Sequence, residues 1–390
     1  MHGHPATSLL RPARLAAWLL LAVLSAPSPA AAAAGDTFPG AAAVRFPPAG
    51  TRLPMAGVCL AAPGRNFSSA HLDPLVDNGA RWISLTPFGW QRGVHSPRVA
   101  FATGSDHMIW GESDEGLGTI ARAAHARGQS ILLSPHIWLM GSPGKWRGDI
   151  EMREEEDWRQ WFETYRAFIL HYARLAQKEK MEMLSVGLEL TRTTLQREDD
   201  WRRLIRDVRR VYDGLLTYSA NWYQEPESIR FWDALDFVGI QAYFPLGNQV
   251  SPDLAALQEA WSGPLARLQA LAAKTGKRIV FTEVGYKSSR GGTAEPWLWR
   301  PQGPVDLDLQ VRAYEALFDT FWNKPWFAGA FIWKWHVARR AGGSQDGTFT
   351  PQGKPALAVM KRFFMGAANK TGEMESDRAA TPSLSRAGSI

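Results

Sequence analysis

Two glutamates lie at the ends of apolar runs, and such a pair of carboxyl groups is what cleavage of a glycosidic bond requires. Glu189 closes the run 183–189, and Glu283 lies near the end of the run 278–284. A neutral carboxyl protonates the leaving oxygen, and an ionised one attacks the anomeric carbon or activates water. Each glutamate alone could equally be a salt-bridge partner that orders a loop, but the two together favour catalysis.

Strand alternation predicts the direction of both carboxyls, because successive side chains of a strand face opposite sides. Ser185, Gly187 and Glu189 share one side, and the leucine and valine residues between them share the other. We expect the first side to face an enclosed interior, where the small residues leave space around Glu189. The same alternation directs Glu283 inward at the end of its run.

These runs belong to a regular succession of short apolar segments and longer amphipathic ones. The strand candidates are 55–61, 81–86, 130–135, 183–189, 214–219, 236–243, 278–284 and 328–333. The helical candidates are 68–79, 114–128, 154–180, 196–212, 252–275, 307–322 and 354–364, with a shorter one at 227–232. This repeated strand–helix pattern predicts an α/β protein, a closed (β/α)₈ TIM barrel in a single domain. The rival, a doubly wound open sheet that binds a nucleotide, has no G-x-G-x-x-G loop after the first strand.

Position in such a barrel predicts how the two glutamates are arranged. Active sites lie at the carboxyl ends of the strands, and strands four and seven face each other across the mouth. We expect their carboxyl groups at the ~5–5.5 Å of a retaining enzyme rather than the ~6.5–9.5 Å of an inverting one.

Five further residues are substrate-binding candidates, because each lies at or just after a predicted strand end. His136 could bind a sugar hydroxyl or be a structural histidine. Tyr243 is expected to hold the nucleophile ionised rather than only to pack, and Gln241 shares its inward side. Asn221 and Trp222 suit hydroxyl binding and stacking.

Tryptophan is unusually frequent, and its 18 residues exceed what a core usually needs, so stacking on sugar rings is one use for the surplus. Trp333 is the expected platform under the sugar being cleaved, with Trp335 as its competitor. The loop tryptophans are expected to line further subsites or to anchor their loops, and these are Trp90, Trp138, Trp297 and Trp299. The tryptophans within helical patterns are expected in the core, and these are Trp158, Trp161 and Trp201.

Eight short stretches, taken in order, resemble glycoside hydrolase family 113, whose known members include endo-β-1,4-mannanases. They are TPFGWQ at 86–91, SPH at 134–136, SVGLEL at 185–190, YSANW at 218–222, DFVGIQAYFPL at 236–246, FTEVGY at 281–286, FIWKW at 331–335 and FTPQGKP at 349–355. The resemblance spans about 55–364, and the order and spacing of the stretches are more specific than any one of them. It implies a retaining glycosidase in which Glu189 is the acid/base and Glu283 the nucleophile.

Three positions depart from that resemblance or are left open by it. Many members of the wider clan have Asn before the acid/base, whereas this chain has Leu188, so a hydrogen bond to the sugar 2-hydroxyl must come from elsewhere or be absent. The strand-two arginine common in the clan is not identified. Lys334, on strand eight, could contact substrate, pair with a glutamate or face outward as a surface charge, and the outward position is favoured.

Charge and cysteine content exclude several other classes of protein. Lys plus Arg is 44 and Asp plus Glu is 38, a net charge of +6 scattered along helices, which argues against nucleic-acid binding. Cys59 is the one cysteine and lies in an apolar run, so we expect no intramolecular disulfide and no Cys/His zinc cluster. We expect no metal, no cofactor, no membrane span and a monomer whose partner is a polysaccharide or oligosaccharide substrate.

The two ends of the chain are expected to lie outside the barrel. Arg11 and Arg14 precede an apolar stretch at 15–26, followed by small residues, so 1–34 are predicted to be a cleavable export signal. Residues 35–54 lead into a barrel at 55–365, and 366–390 are expected to be a disordered tail. The protein is therefore expected to be secreted or periplasmic.

Long loops after strands two, three, seven and eight favour a groove for a chain over a pit for one sugar, and hence endo action. The sequence thus predicts an exported retaining β-glycoside hydrolase that cleaves a polysaccharide, with a mannan-type chain first on resemblance. Another β-glycan, including a cell-envelope or exopolysaccharide, is the enzymatic alternative. A carbohydrate-binding barrel without turnover is the other alternative.

Overall fold

Eight parallel strands close a barrel in the part of the chain that the structure describes. The structure is a computed structural model that describes residues 54–103, 109–338 and 340–366. Its strands are β1 (Met55–Leu60), β2 (Trp82–Leu85), β3 (Phe88–Gln91), β4 (Ala100–Phe101), β5 (Ser130–Leu133), β6 (His136–Leu139), β7 (Met183–Leu188), β8 (Leu215–Asn221), β9 (Val238–Gln241), β10 (Ile279–Val284) and β11 (Phe327–Trp335). The barrel order is β1-β2-β5-β7-β8-β9-β10-β11 and back to β1. The predicted (β/α)₈ TIM barrel is confirmed, and each barrel strand overlaps one strand candidate.

Helices follow most of the barrel strands. They are α1 (Asp73–Asp77), α2 (Asp114–His125), α3 (Glu155–Lys178), α4 (Thr191–Gln196), α5 (Glu198–Arg209), α6 (Leu254–Ala260), α7 (Ser262–Thr275), α8 (Leu307–Phe321) and α9 (356–366). The helix predicted at 252–275 is therefore two helices, and 227–232 is a set of turns rather than a helix. Among the described residues no helix is both long and apolar enough to cross a membrane. The predicted signal at 1–34 and the tail beyond 366 lie outside the described residues.

The barrel strands are apolar on both faces because both faces are covered. One small cluster fills the barrel interior and includes Met55, Leu132, Met183, Val280 and Phe331. A much larger cluster fills the layer between strands and helices. The helical tryptophans lie buried in that outer layer, which confirms the core prediction for Trp158, Trp161 and Trp201.

A three-stranded sheet adds to the barrel where the sequence predicted only loops. Its order is β4-β3-β6, with β3 and β6 parallel and β4 antiparallel to β3. Since β3 follows β2 and β6 follows β5 after two residues each, the pair continues two neighbouring barrel strands beyond the barrel. Trp90 and Trp138 are partners in this register. The added sheet therefore carries aromatic side chains above one side of the mouth.

A β-bulge in β7 overturns the predicted alternation there. Ser185 pairs with Thr217 and Leu188 with Ser219, so β7 has one residue more than β8 over this interval. Ser185 does face the interior, where its hydroxyl lies 2.9 Å from that of Ser219. A Cβ on Gly187 would instead point into the outer layer, 2.7 Å from the Trp201 ring. An extra residue reverses the side-chain alternation beyond it, which is why Gly187 does not face the axis.

Two further register shifts occur at the carboxyl ends of β10 and β11. In β10, Phe281 belongs to the outer layer, and an extra residue between it and Glu283, relative to β9, reverses the alternation. In β11, Trp333 pairs with Cys59 and Trp335 with the next residue of β1, so Lys334 is the extra residue. Consequently Trp333 packs against the inner cluster, whereas Trp335 is 3% exposed in the outer one. Trp335 therefore does not line the mouth, contrary to the prediction that it competes with Trp333 as a sugar platform.

We predict that Gly187→Ala destabilises the protein by about 1–3 kcal/mol, because its Cβ would overpack the outer layer. That Cβ would lie 2.7 Å from Trp201 and 2.8 Å from the Tyr165 hydroxyl, and both side chains are fully buried. Gly263→Ala in α7 is the matched control, since its Cβ meets nothing within 4 Å. Chemical denaturation measures both variants, and equal stability of the two would contradict the overpacking.

Candidate active site

The two predicted catalytic glutamates lie at the mouth of the barrel, at the carboxyl ends of β7 and β10. Glu283 is 6% exposed, and Glu189, one residue beyond β7, is half-buried with a φ of 51°. Asn221, Gln241 and Glu283 are successive partners in the register of β8, β9 and β10. The structure therefore gathers side chains from four adjacent strands into one small area.

Glu283 has two polar neighbours that approach its two oxygens. The Tyr243 hydroxyl donates a hydrogen bond to Oε2 at 2.8 Å. His136 Nε2 lies 3.4 Å from Oε1, without the geometry of a hydrogen bond. Burial, and secondarily the Arg147 charge, lowers the pKa of His136 well below its usual value, so the ring is neutral. Tyr243 thus lies beside the nucleophile candidate as predicted, and His136 faces the same carboxyl.

Glu189 is oriented from β8. Asn221 Nδ2 donates to Glu189 Oε1 at 2.9 Å, and the Asn221 Oδ1 accepts from the Tyr223 amide at 2.9 Å. The backbone amide of Glu189 also donates to the Ser219 carbonyl at 2.9 Å. Asn221 was predicted to bind substrate, but its amide is engaged with the second carboxyl in this structure.

A buried carboxyl behind Asn221 escaped the sequence analysis. Glu225 is fully buried and accepts hydrogen bonds from the backbone amide of Asn221 at 2.6 Å, the Tyr218 hydroxyl at 2.6 Å and the Thr194 hydroxyl at 2.8 Å. Burial raises the pKa of Glu225 to about 7, against these donors. Glu225 therefore fixes the backbone from which Asn221 reaches Glu189. It lies in a turn with no recognisable motif, so only the tertiary fold shows its role.

Arg147 is a second site residue that the sequence analysis did not find. It begins a short 3₁₀ turn, Arg147–Asp149, in the loop between β6 and α3 and is half-buried. Its Nη1 lies 3.4 Å from Nδ1 of His136, which makes Nδ1 the acceptor and leaves the ring hydrogen on Nε2, facing Glu283. The mouth therefore contains a guanidinium from a loop, whereas the resemblance suggested looking for one on strand two.

Burial is the main influence on both carboxyls. Burial, and secondarily the negative charge of Glu189, raises the pKa of Glu283 to about 8, against the Tyr243 hydrogen bond and the Arg147 charge, which lower it. Burial also raises the pKa of Glu189, against the Arg147 charge and the Asn221 hydrogen bond. At neutral pH the pair therefore holds a proton, as a general acid requires.

The pKa of Glu283 is raised more than that of Glu189. The predicted roles need the opposite order, with a neutral Glu189 and an ionised Glu283. The Tyr243 contact acts in the predicted direction, because its hydroxyl donates to Glu283 and favours that carboxylate. The Asn221 contact acts against it, because its side-chain amide donates to Glu189 and favours the Glu189 carboxylate. The charge of Glu189 raises the pKa of Glu283, so the two carboxyls titrate as a coupled pair.

The remaining candidates line the mouth or lie near it. Gln241 is 1% exposed, and neither atom of its amide has a conventional hydrogen bond in the described part of the chain, although it lies close enough to Glu283 to lower the pKa of that carboxyl. Trp222 is half-buried and stacks on Trp297, with ring centroids 5.6 Å apart and planes at 21°. Across the described ranges, no three His, Cys, Asp or Glu side chains form a group that could hold a metal.

Exposed aromatic rings lie in two places, beyond β10 and on the added three-stranded sheet. Trp297 is 45% exposed beyond β10, and Trp138 is 56% exposed on the added sheet beside the half-buried Trp90. Trp299, 74% exposed, has the Arg300 guanidinium 5.3 Å from its ring centroid. Exposed tryptophan rings such as those of Trp138 and Trp297 are of the type that stacks on sugars.

Comparison with known proteins identifies the family. The model of Glycoside Hydrolase Family 113 matches residues 64–354. The chain belongs to glycoside hydrolase family 113. A search of curated proteins finds no match.

Solved structures of family 113 enzymes resemble this chain over most of their length. A β-mannanase from Alicyclobacillus acidocaldarius is 31% identical, with 81% of this chain and 98% of that chain covered and a TM-score of 0.71. A second structure, described as a β-1,4-mannanase complex, is 25% identical over 80% of this chain and 99% of that one, with a TM-score of 0.70. A third β-1,4-mannanase is 27% identical with the same coverage and TM-score. The family 113 chain described here is therefore a glycoside hydrolase, and the alternative of a barrel without enzymatic activity is set aside.

We predict that Tyr243→Phe moves the acidic limb of the kcat/KM profile to higher pH. The Tyr243 hydrogen bond lowers the pKa of Glu283, so its loss raises that pKa further and leaves less of the carboxylate at a given pH. The loss of a hydrogen bond to a charged group should also lower kcat/KM at neutral pH by roughly 10- to 100-fold.

Tyr286→Phe is the control for this variant. Tyr286 is fully buried just beyond β10, and its hydroxyl has no hydrogen bond within the described residues. It should keep the wild-type profile. A Tyr243→Phe profile that coincides with that of Tyr286→Phe would show that the Tyr243 hydroxyl does not act on Glu283.

Proposed function

We propose that this family 113 glycoside hydrolase is an exported, retaining, endo-acting enzyme that cleaves a mannan-type β-1,4-linked polysaccharide. The observation that carries the proposal is the pair of contacts across the mouth. Tyr243 donates to Glu283 on one side, and Asn221 donates to Glu189 on the other. Two carboxyls with separate supports in one buried mouth suit the separate tasks of nucleophile and acid/base.

In the first step Glu283 attacks the anomeric carbon, and Glu189 gives its proton to the leaving oxygen. The glycosidic bond breaks as a covalent bond forms between the sugar and Glu283. A glycosidic oxygen accepts a hydrogen bond only from a protonated Glu189, so bound substrate favours the protonated form of that residue. The Tyr243 hydroxyl then stabilises the Glu283 carboxylate before attack.

In the second step Glu189 acts as a base instead of an acid. The Glu189 carboxylate takes a proton from water, and the resulting oxygen nucleophile attacks the anomeric carbon and releases Glu283. Two displacements on opposite faces return the β configuration. The Asn221 amide keeps Glu189 in place for both proton transfers.

Two observations support a polymeric, mannan-type substrate. The solved family 113 structures that this chain resembles at 25–31% identity are described as β-mannanases. Trp138 on β6 and Trp297 beyond β10 follow different barrel strands, and the exposed part of each ring can take a sugar beyond the central one, which suits cleavage within a chain. Another β-glycan is the alternative substrate that such rings would accept.

Export is supported by the pattern at the start of the sequence, where two arginines precede the apolar stretch 15–26 and a run of small residues. We predict that protein recovered from outside the cytoplasm begins between about residues 31 and 36. Mass spectrometry of its N-terminus measures this, and recovery of only the uncleaved chain would contradict export.

The roles of the two glutamates can be separated by azide rescue. Glu189→Ala should still form the covalent intermediate from a dinitrophenyl β-glycoside, and azide should then attack it to give a β-glycosyl azide. Glu283→Ala cannot form the intermediate, so azide should attack from the opposite face and give the α-glycosyl azide. Both variants should lose at least about 10³-fold in kcat on the polysaccharide without azide.

NMR identifies the anomer of each azide and of the first product of the wild-type enzyme. Glu259→Ala, at an exposed glutamate of α6, is the control and should keep full activity. An α first product from the wild type would overturn the retaining mechanism, and exchanged azide anomers would exchange the two roles.

A further inference from the structure

Glu189 has a backbone conformation that residues with a side chain rarely adopt. Its φ of 51° is left-handed, and among the described residues Lys180 and Gln224 are the only other non-glycine residues with a positive φ. Such a conformation is unfavourable for a residue with a Cβ, so it persists only where surrounding contacts fix it. The contacts that hold the turn after β7 therefore decide where the Glu189 carboxyl lies.

The carboxyl of Glu189 has one side-chain partner. Across the part of the chain that the structure describes, Asn221 is the only residue whose side chain hydrogen-bonds or pairs with it. Arg147 carries the guanidinium of the mouth, but its Nη1 approaches the His136 ring. The position of the Glu189 carboxyl thus depends on Asn221 and on the backbone of its own turn.

The other cation of the mouth, Lys334, lies beside the other carboxyl. Its Nζ is 5.0 Å from the ring centroid of Trp333, and the nearby Glu283 acts against the lowering of its pKa by burial. Its side chain is half-buried, contrary to the prediction that it is an outward surface charge. In the described residues Lys334 forms no ion pair with Glu189, so it does not position that carboxyl.

Two hydrogen-bond paths lead from the turn of Glu189 to Glu225. In the first, Asn221 donates its side-chain amide to Glu189 and its backbone amide to Glu225 Oε2. In the second, the Leu190 amide donates to the Tyr218 hydroxyl at 2.7 Å, and that hydroxyl donates to Glu225 Oε1 at 2.6 Å. The Tyr218 hydroxyl has a single hydrogen, so the second path has one direction and ends on the carboxyl.

A third contact connects Glu225 to the helix that follows the turn. The Thr194 hydroxyl lies in α4 and donates to Glu225 Oε1 at 2.8 Å. The side chains of Glu225 and Tyr218 are fully buried, and Leu190 is 1% exposed. Water therefore does not replace any of these contacts when one is lost, and a buried amide without an acceptor is unfavourable.

We propose that Glu225 is the positioning residue of the acid/base, and that it holds Glu189 in place for both proton transfers through the Asn221 and Tyr218 paths. This inference rests on the proposed function, because it takes Glu189 as the acid/base. Glu225 lies behind Asn221 and acts only through these neighbours. A carboxylate suits the task, since three donors converge on its two oxygens and favour its charged form.

Leaving groups that differ in their need for an acid test the proposal. Dinitrophenolate departs without a proton, whereas phenolate needs one from Glu189, so 2,4-dinitrophenyl and phenyl β-mannobioside differ in the acid step alone. Glu225→Gln replaces one acceptor oxygen with a donor nitrogen. It should lower kcat/KM by roughly 10- to 100-fold on the phenyl substrate and by less than about threefold on the dinitrophenyl substrate.

The dinitrophenyl substrate also reports the second step. Its covalent intermediate still needs Glu189 as a base, so kcat and KM should fall together in Glu225→Gln while kcat/KM is kept. Loss of folded protein would instead lower both substrates equally. The ratio of kcat/KM on the phenyl substrate to that on the dinitrophenyl substrate therefore measures the position of Glu189 and not the amount of active enzyme.

Glu182→Gln is the matched control for this ratio. Glu182 lies just before β7, and its carboxylate also accepts from a buried backbone amide, that of Ile131, at 2.7 Å. It is at the opposite end of the strand from Glu189, so the control should leave the ratio unchanged.

Tyr218→Phe tests the second path separately and replaces Glu225→Gln if that variant does not fold. It removes the acceptor of the Leu190 amide and should lower the ratio in the same direction. Its control is Tyr286→Phe, because the buried Tyr286 hydroxyl has no hydrogen bond within the described residues.

Glu189→Ala, measured on the same two substrates, separates the inference from the proposed function. A lower ratio in both Glu189→Ala and Glu225→Gln would support the two together. A lower ratio in Glu189→Ala with an unchanged one in Glu225→Gln would overturn the inference and leave the proposed function standing. An unchanged ratio in Glu189→Ala would overturn the acid/base role in the proposed function, and the inference with it.

Discussion

Three β-bulges at the carboxyl ends of barrel strands determine where the chemistry of this protein lies. Each adds one residue just before or at a side chain of the mouth, which gives Glu189, Glu283 and Lys334 their directions. A bulge reverses the alternation of side chains beyond it, so the regular lower part of each strand packs the core while its end faces the site. Closure of the barrel and placement of the site are therefore separate properties of the same strands.

The barrel could be predicted because the patterns that specify its strands and helices lie within single segments of the sequence. Strands covered on both faces are continuous apolar runs, and amphipathic segments between them are helices, so both signals can be seen in the sequence. The direction of Glu283 was predicted correctly for a wrong reason. Simple alternation would send it to the side of Phe281, which lies in the outer layer, and the register shift against β9 is what turns it inward. A bulge depends on neighbouring strands, and no pattern within β10 shows it.

The two residues that the sequence analysis missed were missed for a different reason. Arg147 and Glu225 lie in turns, where no periodicity constrains the side chain, and each acts through contacts that are distant in the chain or specific to the fold. Arg147 reaches His136, and Glu225 holds the backbone of Asn221. Their charges matter because they are buried near other charges, and burial is a property of the folded protein alone. Residue type and position along a strand predict the carboxyls, whereas the groups that tune them need the tertiary structure.

The barrel interior is apolar, so the groups that lower the pKa of Glu283 must approach from neighbouring strands and loops. Beneath the mouth, the interior cluster that includes Met183, Val280 and Phe331 offers Glu283 no hydrogen-bond donor, so burial there favours the neutral carboxyl. The groups that favour its ionised form, Tyr243 above all, approach from neighbouring strands and loops. Tyr243 lies beyond the end of β9 and Arg147 lies in a loop, so both act on Glu283 from outside the packed barrel interior. The site can therefore change at such positions while the core that closes the barrel stays the same.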